Sequence, residues 1–397
     1  MSQPRRVMLM IETSLGFGRD VLTGVSRYLV QNGPWSVHLG VRELIIEPPE
    51  WLRGWPGDGI ISRSTTPELA RWFQDTNLPV VDMTDIYGEG DLPTIWNDHQ
   101  MVGEFGAAHL LERGFKNFAF AGFARHCWST LRMAGFRKLV EASGGTFAQY
   151  DSDWSPAVSW DEKQSAIGAW LKTLPLPVGV MACNDVRGLD VLDAARRVGL
   201  AVPEQVAVLG VDDDEVLCNM CEPPLSSVQV NGVRAGYEAA KTLDILMDAR
   251  DRGEAVDAAG LHKRVPPIGV VTRDSTDTLA IEDAEVAAAV EMIRHRACDG
   301  LTVTEVLEST SMSRSIMERR FRKYVGRSPQ AEIRHAKLKR VRQLLTETPM
   351  SLEQIAARTG FEHTEYLSVM FKREIGMTPG QFRSQTRSGG REDEAAA

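Results

Sequence analysis

Polar and apolar positions along this chain change rhythm once. Up to about residue 271, short apolar runs alternate with stretches of helical period. Val7 to Ile11, Val37 to Val41, Gly59 to Ile61, Val80 to Met83 and Thr94 to Trp96 read as strands. So do Phe118 to Ala121, Val178 to Ala182, Val206 to Val211, Ser226 to Val230 and Gly269 to Val271. Segments 20–30, 67–75, 98–113, 132–142, 186–198 and 232–249 between them predict helices, as in Val21, Leu22, Val25 and Leu29 on one helix face. Repeated strand–helix alternation predicts an α/β protein of parallel sheets covered on both faces. Ligands of such sheets bind beyond the carboxyl ends of the strands. Two such halves predict a small-molecule cleft between them.

Beyond residue 282 the strand period disappears and one pattern is written twice. Phe321-Arg-Lys-Tyr-Val-Gly-Arg-Ser-Pro329 recurs as Phe371-Lys-Arg-Glu-Ile-Gly-Met-Thr-Pro379. Each copy follows two short amphipathic patterns. Val303, Val306 and Leu307 precede Ile316, Met317 and Phe321, and Leu352, Ile355 and Ala356 precede Tyr366, Leu367 and Phe371. Helix, turn and helix, repeated, predicts two helix-turn-helix units in an all-α domain. Thr302-x-x-Glu305 and Ser351-x-x-Gln354 open both units with capping boxes. The first unit is one residue shorter, and the shortening is expected in its turn, Thr310-Ser-Met312, where the second has Gly360-Phe361. A helix over 282–298 leads in, and another over 331–345 joins the units with five cations suited to phosphate contacts.

Polar residues stand at several strand ends of the first part. Asn97-Asp98, Asn184-Asp185 and Asp212-Asp213-Asp214 follow strands, and Arg132 lies one turn after Trp128. Carboxylates and amides bind hydroxyls in pairs, and an indole packs on the apolar face of a sugar. The same Asp and Asn residues equally suit helix caps and turns.

Charge sharpens the division. The chain of 397 residues carries a net charge of −9. Residues 285–391 hold 19 Lys and Arg against 12 Asp and Glu, whereas the part before them is acidic. A basic module on an acidic body points to a polyanion met by one part alone. No apolar run approaches the roughly 18 residues of a membrane span, and Val7 to Ile11 is too short for a signal-peptide core. Cys218-x-x-Cys221 lacks the second pair or histidines of a metal site, so neither metal nor cofactor is expected. Gly16-Phe-Gly18 lacks the third glycine of a dinucleotide loop, and no hydrolase or nucleotide motif occurs, so an enzyme is the least favoured class.

The segments around Asn184-Asp185, Gly199 to Pro203, Val206 to Asp213 and Pro224 to Val228 resemble the C-terminal lobe of LacI/GalR-type sensor domains. Asp98, His109-Leu110, Gly114, Phe118 to Gly122 and Arg132 to Phe136 resemble the N-terminal lobe of the same domains. The resemblance implies a two-lobed, doubly wound, periplasmic-binding-protein-like sensor with sugar contacts at Asp98, Arg132, Asn184 and Asp212. Residues 285–385 resemble the AraC-type DNA-binding domain, whose reader helices enter successive major-groove segments. Carried over by position, the reading residues are Arg314, Ser315, Glu318 and Arg319 in the first unit and His363, Thr364, Glu365 and Ser368 in the second. A sensor ahead of such a reader resembles the xylose-operon regulators of bacteria. Trp128 and Asp213 join the expected ligand set on that likeness, with Asp213 where Asn would be expected.

The expected organisation is a sensor over 6–275, a linker over 276–284, the reader over 285–385 and a disordered tail over 386–397. The expected function is a cytoplasmic, sugar-responsive transcription regulator that activates pentose catabolic genes, foremost those for D-xylose, on binding its sugar. Its expected partners are double-stranded operator DNA, a second copy of the chain and, further, RNA polymerase, with no membrane. A regulator of the same architecture that senses another sugar, or represses, is the alternative, followed by an architectural DNA binder.

Overall fold

The computed structural model describes residues 4–40, 54–75, 78–88, 90–153, 158–254, 261–278 and 283–388. The chain divides into two compact units, Met1–Ala280 and Ile281–Ala397. The first contains β1 (Arg6–Met10), α1 (Gly16–Asn32), β2 (Ser36–Leu39), β3 (Gly59–Ser62), α2 (Pro67–Asp75), β4 (Val80–Asp82) and β5 (Ile95–Asn97). Next come α3 (His99–Leu111), β6 (Asn117–Phe123), α4 (Cys127–Ala142), β7 (Thr146–Ser152), α5 (Trp160–Leu171), β8 (Val178–Ala182) and α6 (Asp185–Arg197). They are followed by β9 (Val206–Val211), α7 (Glu215–Met220), β10 (Ser226–Gln229), α8 (Gly232–Asp251), β11 (Lys263–Val265) and β12 (Gly269–Val271). Val41, the end of the second expected strand, lies outside the described residues.

These strands make one larger sheet in each lobe and a separate two-stranded pair. The first has the order β2-β1-β3-β4, all parallel. A bridge from Asp82 to Thr94 brings the parallel pair β5 and β11 alongside it. The second has the order β12-β10-β9-β8-β6-β7 and is parallel except at β12, which runs antiparallel to β10. Phe118 to Gly122, likened to the N-terminal lobe, thus instead share a sheet with the strands of the C-terminal lobe, because β6 pairs with β8. The chain crosses between lobes at Asn97-Asp98, at Gln229 to Gly232 and between Val265 and Gly269. Backbone bonds tie the crossings together, with Asp98 N–H donating to the Val265 carbonyl at 2.8 Å and Ile268 N–H to Gln229 at 2.9 Å. Strands β3, β4, β8 and β9 are buried along their whole length, which is why they read as continuous apolar runs. Sequence reading passed over β7, an edge strand rich in polar residues, and also α5 and α7.

The expected linker does not begin as one. Ser275 and Thr276 are wholly buried. The Ser275 hydroxyl donates to the Val208 carbonyl at 2.6 Å, and the Arg113 Nε–H donates to the Thr276 carbonyl at 2.7 Å. The Thr276 hydroxyl also lies 2.8 Å from His109 Nε2. Polar composition there reflects a hydrogen-bonded strap inside the sensor, since buried polar groups must be paired. Residues 279–282 of the expected linker lie outside the described residues.

The second unit is all α. It contains α9 (Ala284–Arg296), α10 (Val303–Glu308), α11 (Arg314–Tyr324), α12 (Pro329–Glu347), α13 (Leu352–Arg358), α14 (Thr364–Ile375) and α15 (Pro379–Ser388). Both capping boxes form, Thr302 with Glu305 and Ser351 with Gln354. The two turns, 309–313 and 359–363, are equally long. The missing residue therefore falls in α10, six residues against seven in α13, and not in the turn. Gly326 and Gly376, equivalent in the two copies, close the reader helices with φ of 77° and 84°, where a side chain would be strained. The last helix runs to Ser388, into the stretch expected as a tail, and 389–397 lie outside the described residues.

Candidate ligand cleft and DNA-reading surface

A cavity of about 440 Å³ opens between the lobes of the first unit. The first lobe contributes Leu15, Phe17, Arg63, Asp85 to Tyr87 and Asn97, and the second His126, Trp128, Arg132, Asn184 and Asp212. Four of the six expected ligand residues, Trp128, Arg132, Asn184 and Asp212, are therefore brought together. Asp98 and Asp213 are not. Successive residues of a strand face opposite sides. Asn97, ending β5, turns into the cavity, so Asp98 turns away and caps α3, its carboxylate accepting from the Met101 N–H at 2.9 Å. Asp213 follows Asp212 in the turn beyond β9, and its carboxylate is drawn away to pair with Arg273 at 2.8 Å.

Arg132 is the centre of the cavity's polar wall. Its NH2 reaches Asp212 at 3.1 Å, its NH1 donates to the Cys183 carbonyl at 2.5 Å, and its Nε–H donates to His99 Nδ1 at 3.3 Å. The guanidinium also lies 5.0 Å from the Trp128 ring centroid. Close packing of α3 on α4 places it there. A Cβ on Gly103 would lie 2.0 Å from the Arg132 carbonyl oxygen, and one on Gly135 2.0 Å from that of Gln100. Glycine lets the two backbones meet.

Opposite, Arg63 pairs with the wholly buried Glu12 and stacks over Phe17 at 4.5 Å. Asp85 accepts from His99 across 2.9 Å. Burial alone would raise the Asp85 carboxyl, but the His99 bond and the charges of Arg63 and Arg132 hold it down at about 2. Burial raises the Asp212 carboxyl, opposed by Arg132 and Arg63. Asp212 and Asp213 also hold φ of 106° and 56°, unusual for residues with side chains and typical of strained functional positions.

Two amides face this paired set uncommitted. Asn97 is buried and its Oδ1 has no hydrogen-bond partner. Asn184 spends its Oδ1 capping α6 through the Arg187 N–H at 2.9 Å, leaving its Nδ2 as the group it offers the cavity. Arg63 and Asp85, which follow β3 and β4, were missed by sequence reading, whereas Asn97 was noted as a strand-end amide but left out of the expected ligand set in favour of Asp98. The strand-end rule that singled out Asp98 applies equally to them. Gly16-Phe-Gly18 holds no open phosphate loop, because the Gly16 N–H donates to Asp214 at 2.9 Å and Phe17 faces the cavity. No group of three candidate metal ligands occurs among the described residues, and no helix among them is long and apolar enough to cross a membrane.

In the second unit the eight expected reading residues lie at the start of the two reader helices. Arg314, Ser315 and Arg319 on α11 are exposed and Glu318 is half-buried. His363, which precedes α14, and Glu365 are exposed, while Thr364 and Ser368 are half-buried. Met317 and Phe321 form the buried face of α11, as Leu367, Met370 and Phe371 do on α14. Ile316 and Tyr366, equivalent positions expected in the core, instead lie on the outer face with Val369. Basic residues of α12, including Arg334 and Arg342, line a cavity of about 400 Å³ against the end of α14.

Residues 107–276 match the family described as a periplasmic binding protein-like domain, and residues 306–385 match a helix-turn-helix domain. The xylose operon regulatory protein of Escherichia coli (strain K12) is 30% identical over 387 residues, covering 95% of this chain and 96% of that protein. That of Haemophilus influenzae is also 30% identical over 387 residues, covering 95% and 98%. The solved structure of the xylose-binding transcription activator XylR matches at a TM-score of 0.77 and 29% identity, covering 96% of this chain and 98% of that one. The transcriptional regulator CelR in complex with cellobiose shares the fold over 69% of this chain and 86% of its own, with a TM-score of 0.55 and 22% identity. The chain therefore belongs to the family of xylose operon regulatory proteins, transcription regulators that join a periplasmic-binding-protein-like domain to a helix-turn-helix domain.

Proposed function

We propose that the cleft binds a neutral monosaccharide, foremost D-xylose, and that its occupancy controls operator binding by the tandem helix-turn-helix unit. One observation carries the choice of ligand. The charged groups lining the cavity are already held, Arg63 by Glu12, Arg132 and Asp212 by each other and Asp85 by the His99 ring behind the wall, while Asn97 Oδ1 and Asn184 Nδ2 remain open. An anionic or cationic ligand would have to break these pairs at the cost of buried unpaired charge. A polyol can accept from the spare guanidinium hydrogens, donate to carboxylate lone pairs and lay its apolar face on Trp128. The volume suits a small ligand, since such sites span roughly 300–1,000 Å³.

Sugar binding shifts the protein only as far as it favours one lobe arrangement over another. The ligand set is Trp128, Arg132, Asn184 and Asp212, extended by Asn97, Asp85 and Arg63. The reading surface is Arg314, Ser315, Glu318 and Arg319 with His363, Thr364, Glu365 and Ser368. Activation is proposed after the solved relative named as a xylose-binding transcription activator, and a cytoplasmic homodimer that meets RNA polymerase is part of this proposal. Calorimetry of the full chain against pentoses and hexoses tests the reading. The expected result is heat with D-xylose that disappears, by on the order of 100-fold in affinity, in Arg132→Ala, with operator binding of the sugar-free variant retained. No heat with any sugar would refute the sensor reading, and undiminished affinity in Arg132→Ala would refute the site.

A further inference from the structure

His99 does not line the cavity and is almost wholly buried, yet it touches two residues that do. It opens α3 directly after the chain crosses between lobes. Its Nε2 lies 2.9 Å from Asp85 Oδ2, and its Nδ1 lies 3.3 Å from the Nε of Arg132. Asp85 belongs to the segment after β4 and Arg132 to α4, so the imidazole joins the two lobes.

The donor inventory fixes its state. Arginine has no acceptor, so Nδ1 must carry a lone pair to receive the Arg132 Nε–H. An ionised carboxylate only accepts, so the proton sits on Nε2 and faces Asp85. We propose that neutral His99, as this single tautomer, is a positioning residue that aims Arg132 into the cleft, and that its protonation disengages Arg132 and lowers ligand affinity at acidic pH. A protonated ring would place Nδ1–H against the Arg132 N–H, donor on donor and cation on cation. The three charged groups around the ring are Asp85 after β4, Arg132 on α4 and Asp212 after β9. Burial favours the neutral ring, Asp85 opposes that, and the outcome lies below the ordinary histidine value. The effect therefore sets in only as pH falls below about 6.5. Asp212, whose carboxyl is raised by burial, is a second titratable group beside Arg132, so the experiment must separate the two.

This inference rests on the cavity being the ligand site, and two measurements keep the questions apart. The first is calorimetry of the full chain with D-xylose from about pH 5 to 8, for the unaltered protein and for His99→Gln. Glutamine offers Asp85 a donor and Arg132 an acceptor but does not titrate. The unaltered protein should hold a flat affinity above about pH 6.5 and lose up to about tenfold per pH unit once His99 protonates. His99→Gln should keep the neutral-pH affinity and show a shallower acid loss. The same acid profile in both would overturn the proposal. The second is nitrogen-15 NMR of labelled histidine in the ligand-free full chain. The expected signal for His99 is the neutral Nε2–H tautomer at neutral pH, with a titration midpoint that rises in Arg132→Ala. An Nδ1–H tautomer, a charged ring at neutral pH, or a midpoint indifferent to Arg132 would each overturn it, whether or not sugar binds.

Discussion

Burial, reinforced by the neighbouring Asp212 carboxylate, pushes the Asp185 carboxyl up to about 8. Its two oxygens are held by the Ser227 hydroxyl at 2.6 Å and the Asp214 N–H at 2.8 Å. In an unfolded chain the same acid titrates near 3.9. Between those values the native state keeps a proton that the unfolded chain has lost. Stability is thus greatest below the unfolded value and declines as pH rises toward about 8, at no more than about 1.4 kcal/mol per pH unit. Asp185→Asn keeps an acceptor for the Asp214 amide and removes the ionisation, with the Ser227 hydroxyl rotating to accept from the new amide N–H. Its thermal midpoint, followed from about pH 5 to 8, should fall less steeply than that of the unaltered chain. An equal decline would move the effect to Asp82, which burial pushes up to about 6. Asp185 was named in the sequence only as the neighbour of Asn184. Nothing in the sequence marks it as buried, because burial comes from β9 and β10 folding over it.

At the scale of elements, α3 and α4 are one device. Gly103 and Gly135 let their backbones meet, and the polar residues His99 and Arg132 ride on the contact. Gly135→Ala would place a methyl 2.0 Å from a backbone oxygen, which no rotamer relieves. Such overpacking costs about 1–3 kcal/mol. A lowered thermal midpoint is expected, with weaker sugar affinity because Arg132 lies on the displaced helix, and calorimetry beside a melting curve would read both. Helix period made the existence of α3 and of the helix around Arg132 plain, since both bury a regular apolar face. It failed at Ile316 and Tyr366, which keep helical spacing but lie one step off the buried stripe marked by Met317 and Leu367. A single apolar residue beside a stripe cannot be assigned to core or surface from spacing alone. Turn length failed similarly, because counting between two landmarks does not say whether a helix or a turn is the shorter part.

For the molecule as a whole, charge and contact agree on a division. The basic balance of residues 285–391 coincides with the compact unit Ile281–Ala397, whose own core gathers Leu338, Val341, Ile355, Leu367 and Phe371. A fragment of residues 283–397 is expected to fold and bind operator DNA without the sensor. Its affinity should fall about tenfold or more as salt rises from 50 to 200 mM, through release of counterions from each neutralised phosphate. D-xylose should leave that affinity unchanged. Mobility-shift titrations across salt, with and without sugar, check both. A fragment indifferent to salt would count against phosphate contacts, and a fragment that responds to sugar would count against a separate sensor.

The sequence by itself determined the two-part plan, the parallel sheets and the repeated reader, because each rests on local period, on capping boxes and on charge, all written residue by residue. It also named Trp128 and Arg132 on helix spacing and family likeness, and Asn184 and Asp212 where strand ends and family likeness coincide, and these four line the cavity. Only the tertiary structure decided which of two adjacent polar residues turns inward, Asn97 over Asp98 and Asp212 over Asp213, since that follows from the pairing of β5 with β11 and from the distant partners Arg132 and Arg273. It alone brought Arg63, Asp85 and His99 to Arg132, because a cleft is made by two lobes and neither lobe's sequence contains it.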